Sequence, residues 1–144
     1  MIVYFDASAL VKRYLIEAGT AELQHFSRDV SLAGTSLLSR AEVSAAIARA
    51  SRLGLTPSDQ ALKALKSFRA HWVQFLRIQA QESTMAKADE LAWDQGLRGY
   101  DAVHLASALL WRESLNQSPT FATFDKQLSD AARKEQFEVW PERL

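Results

Sequence analysis

An α/β fold, with a parallel β-sheet covered by helices on both faces, is what this sequence predicts. The candidate strands are short, continuous apolar runs rather than alternating ones, as in "IVYF" at 2–5, which is the pattern of a strand buried on both sides. These runs alternate with helical stretches along the chain. No internal repeat, low-complexity tract or long linker interrupts that alternation, so the 144 residues read as one domain, 1–144. A chain of this length buries roughly 68–70% of its unfolded surface and needs no disulfide or structural metal to hold it.

The strand at 2–5 leads into a helix over "SALVKRYLIEAG", closed by Gly19, and a second helix over "TAELQHFSRD". "VSLAG" at 30–34 is a short strand. A long helix runs from Ser36 to Gly54, a good residue just past a helix end. Thr56 caps the next helix, with Pro57 at its first position and Leu62, Leu65, Arg69 and Trp72 along it. The end of "FLRIQA" at 75–80 is a strand, and "ESTMAKADELAWDQG" is a helix ended by Gly96. The apolar helix of "LRGYDAVHLASALL" opens near Asp101 and continues through "HLASALLWRE". Strands follow at "TFATF" (120–124) and "FEVW" (137–140), with the helix "KQLSDAARKEQ" between them. Trp72 and Phe75 sit at helical spacing with Leu62 and Leu65, which points to core more than to a partner surface.

Composition narrows the chemistry. Apolar residues make up 48% and charged residues 24%, the balance of a folded soluble chain. The absence of cysteine excludes a disulfide framework, a thiolate zinc site and a cysteine nucleophile. No apolar run approaches the ~20 residues of a membrane span. "MIVYFD" lacks the basic start of a signal peptide, so the expected location is the cytoplasm, with no membrane partner. Seventeen basic residues balance seventeen acidic ones, so charge alone gives no footprint for nucleic acid.

Four acidic residues carry the chemistry. Asp6 and Asp125 stand immediately after buried strands, at the sheet edge where α/β folds bind ligands. Asp101 stands at the entrance of a helix. Each of the three also reads plainly as a helix cap, a role aspartate fills well. Glu42 does not, because it lies inside a helix whose residues three and four positions away are Leu38, Ser39, Ala45 and Ala46. A carboxylate on that small-residue side is costly unless something cationic meets it; the bland alternative is a surface glutamate at the edge of the stripe. Four carboxylates from four elements can converge on one pocket. Oxygen ligands without His or Cys spacing select hard cations, Mg²⁺ or Mn²⁺, which suit phosphoryl chemistry.

With these residues on the page, the chain resembles a known family. "MIVYFDASALVKRYL", "SRAEVSAAI", "LRGYDAVHLASAL" and "TFDKQL" look like the four motif regions of PIN-domain ribonucleases, most closely the VapC-type toxins of toxin–antitoxin pairs, in order, spacing and flanking residues. The resemblance spans essentially the whole chain and implies a single PIN-like domain with a central parallel sheet. It implies an endoribonuclease dependent on one or two Mg²⁺ or Mn²⁺ ions per site, leaving a 3′-hydroxyl and a 5′-phosphate. It also implies a homodimer and a small cognate antitoxin that blocks the site. Carried over by motif, Asp6, Glu42, Asp101 and Asp125 are catalytic and hold the metal, with Thr123 and Ser8 as supporting polar residues. Asp130, about one and a half helical turns after Asp125, is left out. On this reading Asp101 both caps its helix and faces the metal, and the helix N-terminus favours its charged form.

Other residues receive weaker readings. His104, one turn after Asp101, reads as a packing histidine more than a general base, because activated water removes the need for one. His25 and His71 have no ligand spacing. Lys12, Arg13, Arg40 and Arg98 lie near the acidic motifs and read equally as phosphate contacts or solvated surface; the resemblance favours Lys12 and Arg13 as RNA phosphate contacts. Two rivals share the fold. A phosphoacceptor or phosphatase using Asp6 would, on the haloacid-dehalogenase pattern, need a second aspartate where Ser8 stands; a response-regulator receiver would need a lysine that no late strand end supplies. An RNA- or protein-binding module with a vestigial site would not need all four acids.

Overall fold

The computed structural model describes residues 1–144. Its five strands are β1 (Ile2–Phe5), β2 (Leu32–Ser36), β3 (Leu76–Ile78), β4 (Thr120–Ala122) and β5 (Val139–Trp140). They form one sheet in the order β3-β2-β1-β4-β5, parallel at every pairing. The helices are α1 (Ala7–Val11), α2 (Thr20–Phe26), α3 (Ser39–Arg52), α4 (Ser58–His71), α5 (Glu82–Gln95), α6 (Gly99–Glu113) and α7 (Lys126–Lys134). No helix is long and apolar enough to cross a membrane.

The unbroken apolar run of β1 has the reason the sequence suggests: helices cover both faces. Val3 and Phe5 pack with α1, α3 and α4, while Tyr4 points the other way into a core built by α5, α6 and α7. All three side chains are fully buried. Burial of each is worth about 1.5–3 kcal/mol, so the centre of the sheet is fixed more firmly than any exposed ion pair could fix it. Trp72 and Phe75 are core, as their spacing suggested, whereas Leu62 is exposed.

Gly34 shows how tightly β2 meets α6. A Cβ built at Gly34 would lie 2.5 Å from the Trp111 ring, so only glycine lets the two elements approach.

Several boundaries differ from the sequence reading. The helix expected over 8–19 stops at Val11, because Lys12 Nζ donates to the Ala18 carbonyl and pairs with Glu17, and Thr20 Oγ1 donates to the Leu15 carbonyl. These bonds fold 12–19 into a compact turn. Gly19, at φ +88°, opens α2 instead of closing α1, and a Cβ there would strike the Phe124 ring at 2.6 Å. β2 begins two residues later than expected, where pairing with β1 starts at Ile2–Leu32. Ser36 ends β2, and α3 starts only at Ser39. Pro57, not Thr56, is the cap position of α4. α6 begins at Gly99 with Arg98 as its cap position, so Asp101 lies inside the first turn and does not cap the helix. β4 stops two residues short of its apolar run, at Ala122, and β5 starts two residues late, at Val139, because Phe137 N–H still bonds the Ala132 carbonyl of α7.

Candidate active site

The sheet order reverses direction at β1. From β1 the chain moves outward to β2 and β3, then returns to lay β4 on the opposite side of β1. A crevice therefore opens beyond the carboxyl ends of β1 and β4, the place where open α/β sheets bind ligands. Phe5 pairs with Ala122 in register, so Asp6 and Thr123 emerge side by side, with Asp6 N–H donating to the Ala122 carbonyl at 3.1 Å.

Asp6 is almost fully buried, at 3% exposure, and caps α1 by accepting from Ala9 N–H at 2.8 Å. Ser8 Oγ donates to the same carboxylate at 2.8 Å, and Thr123 Oγ1 donates to Oδ2 at 2.7 Å. Both hydroxyls also accept backbone donors: Phe124 N–H on Ser8 Oγ and Asp125 N–H on Thr123 Oγ1. The hydroxyls thus relay donors from the loop after β4 to the carboxylate after β1. Burial pushes the Asp6 carboxyl pKa up, against the nearby His104 charge and the Thr123, Ala9 and Ser8 donors.

Glu42 is in the first turn of α3, and its Oε2 lies 2.7 Å from His104 Nε2 on α6. His104 is 2% exposed, and its Nδ1 meets Tyr4 Oη at 2.9 Å. Burial alone would push the imidazole pKa down. The hydrogen bond and charge of Glu42, with the charges of Asp6 and Asp101, outweigh it and leave the ring above its ordinary value. Tyr4 titrates well above its usual range, chiefly through burial, so it keeps its O–H to offer Nδ1. Against the Glu42 carboxylate the ring donates from Nε2 in either charge state, with Tyr4 Oη donating to Nδ1 of the neutral ring and accepting from it in the charged one. His104 is therefore the partner that Glu42 required, and it is more than packing.

Asp101 and Asp125 are held differently. Arg98 Nε donates to Asp101 Oδ2 and Arg98 Nη2 to Asp125 Oδ2, both at 2.7 Å. Asp125 also caps α7, its Oδ1 accepting from Leu128 N–H at 2.9 Å. The Arg98 side chain is 70% exposed, while Asp101 and Asp125 are 15% and 26% exposed. Hydrogen bonding to Asp101 and the charges of Asp101 and Asp125 push the guanidinium pKa up, so Arg98 is a permanent cation here.

The four carboxylates thus share one region: Arg98 bridges Asp101 and Asp125, and His104 bonds Glu42 and feels the charges of Asp6 and Asp101. No three Asp, Glu or His side chains close around a common point in this arrangement. The donor set still fits a hard divalent cation in kind: it is all oxygen, and Glu42 Oε1 and Asp101 Oδ1 accept no hydrogen bond. Among the other sequence candidates, Lys12 is tied to Glu17 and Ala18 and lies 4.6 Å from the Phe124 ring. Arg13 lies over the Phe5 and Phe75 rings. Asp130 is paired with Lys126, which holds its carboxyl below the usual range.

A parallel α/β sheet whose acidic side chains collect beside its strand-order reversal defines a class of domain built to act on a ligand at that edge. Within that class, the PIN domain family model matches residues 3–134, and the chain belongs to that family. It is 32% identical over 143 residues to Ribonuclease VapC45 of Mycobacterium tuberculosis (strain CDC 1551 / Oshkosh), covering 99% of this chain and 97% of the relative. The fold is also that of FitAcB from Neisseria gonorrhoeae, with TM-score 0.66, 15% identity and 96% of each chain covered. A toxin–antitoxin complex from Klebsiella pneumoniae is similar at TM-score 0.62 and 18% identity, over 85% of this chain and 86% of that one.

Proposed function

We propose that this chain is a metal-dependent endoribonuclease and the toxin of a type II toxin–antitoxin pair. One observation carries the reading: beside the β1–β4 reversal Arg98 bridges Asp101 and Asp125, while His104 bonds Glu42 and lies in the field of Asp6 and Asp101, so carboxylates from four separate elements gather there. The name of the mycobacterial relative agrees with it. In this reading the four acids hold one or two Mg²⁺ or Mn²⁺ ions. A bound ion would supply Lewis acidity at the phosphodiester and an acidified water as nucleophile.

The chain's own residues prepare that chemistry. Ser8 and Thr123 fix the rotamer of Asp6 from two sides, so its oxygens need no reorganisation when they take up charge. His104 holds Glu42 through Nε2 and is itself held by Tyr4. Lys12 and Arg13 enter as RNA phosphate contacts through donors left over from their in-chain partners, since a guanidinium has five. For the antitoxin, we assign the groove of about 500 Å³ between residues 13–16 and α4. Exposed Ile16 and Leu55 provide its apolar rim, and Arg13, Lys63 and His71 suit an amphipathic acidic segment. Changing Ile16 and Leu55 to Asp should weaken antitoxin binding, and unchanged affinity would remove the groove from this reading. Light scattering should return the mass of a homodimer.

The decisive experiment is cleavage of total cellular RNA by antitoxin-free protein with Mn²⁺, with EDTA, and with the Asp101→Asn variant. Discrete fragments that need metal and vanish in the variant support the reading. RNA left intact in every arm would instead identify a binding module of the same fold.

A further inference from the structure

The way Asp101 and Asp125 are held points beyond the acids themselves. Both hydrogen bonds of Arg98 fall on carboxylates that the proposed metal site would use, and one planar guanidinium spans the two elements that carry them. Arg98 sits in a short connection between α5 and α6, with Gly96 before it and Gly99 after it. A Cβ at either glycine would meet nothing within 4 Å, so the connection opens to space on that side, while Leu97 anchors it in the core. The side chain is mostly exposed and packs in no core. It can leave the carboxylates at small cost to the rest of the fold.

We infer that Arg98 is a resident counter-cation of the site: it bridges Asp101 and Asp125 and competes with the divalent ion for the same oxygens. Without such a cation, Asp101 and Asp125 would face each other as like charges. With it, the two acids keep their spacing. Ion binding then exchanges one cation for another instead of assembling a site from repelling groups. Arg98 thereby sets the ion concentration at which the site fills, and it is a positioning residue for the carboxylates. A lysine would do this less well, because one ammonium lacks the fork that reaches both acids.

This inference rests on the metal reading given under Proposed function, and the test separates the two. Full-length protein stripped with EDTA is titrated with Mn²⁺, with binding followed by the rise in thermal midpoint and by the loss of free-Mn²⁺ electron paramagnetic resonance signal. Arg98→Gln should bind Mn²⁺ roughly tenfold more tightly than the parent chain, and Arg98→Lys about threefold more tightly, as a competing cation is removed or weakened. A merely structural role predicts the opposite, since loosening the acids would weaken binding. Equal or weaker binding by Arg98→Gln overturns the inference while leaving the metal reading intact. No Mn²⁺ binding by the parent or either variant overturns the metal reading, and this inference with it. If Arg98→Gln does not fold, Arg98→Lys decides by the same criterion.

Discussion

Asp6 and Asp125 occupy equivalent places, each immediately before a helix and after an inner strand, and each caps its helix by accepting a backbone N–H. Their surroundings are otherwise opposite. Asp6 is buried, and its further donors are two neutral hydroxyls anchored to backbone. Asp125 is a quarter exposed and shares an exposed cation, Arg98, with Asp101. Local position therefore sets the cap, and tertiary context sets everything else. One pole of the site is preorganised by the fold, and the other is held by a partner that can be exchanged.

The comparison breaks most visibly at Asp6. Asp6→Ala removes a cap and strands three buried donors, and should cost about 3 kcal/mol in urea unfolding. A cost below about 1 kcal/mol would falsify the rigid-pole description. Thr123→Val keeps the shape but deletes the hydroxyl that serves both Asp6 and Asp125 N–H; a loss of about 1–2 kcal/mol is expected from the same measurement. Asp125→Asn should cost no more than about 0.5 kcal/mol, because asparagine caps as well as aspartate, yet it should abolish RNA cleavage. A large stability loss there would erase the contrast between the poles.

The smallest effect is a slope with pH, measured by thermal unfolding in EDTA. His104 is faced by Tyr4, Glu42, Asp6 and Asp101 and titrates above its ordinary 6.5. A histidine raised on folding contributes fully below the unfolded value and loses its contribution as pH rises through the folded one. Asp6, an acid raised by burial, acts in the same direction at lower pH, since its charged form is the penalised one. Stability should therefore fall as pH rises past the ordinary histidine value of 6.5, and Glu42→Gln should flatten that fall by removing the main cause that raises the histidine. An unaltered slope in the variant would detach His104 from Glu42.

Much of this was legible from the chain. β1 could be read because an unbroken "IVYF" fits only a strand covered twice, and α5 because Gly96 takes the left-handed conformation at its end. The four acids could be read because three follow or open elements and the fourth lacks any in-helix partner. The misreadings share one cause, bonds between residues distant from the periodic pattern. α1 ends early because of the Lys12 bonds to Glu17 and Ala18, which no helical period registers. Asp101 looked like a cap because it stands within the first turn, three residues past the cap position, and Arg98 takes the boundary instead. The bond between Glu42 and His104 joins residues 62 apart, and only the unmet charge of Glu42 hinted that such a partner existed.

The pairing of β1 with β4 has a consequence for synthesis. Val3 pairs with Thr120, so the innermost strand emerges 117 residues ahead of its neighbour. At about 5–20 residues per second, β1 waits roughly 6–23 s for that neighbour to be made. Thr123, which completes the cradle of Asp6, arrives later still. A growing chain therefore carries its first aspartate long before it carries a site, and a potentially harmful activity is withheld from the nascent polypeptide by topology alone.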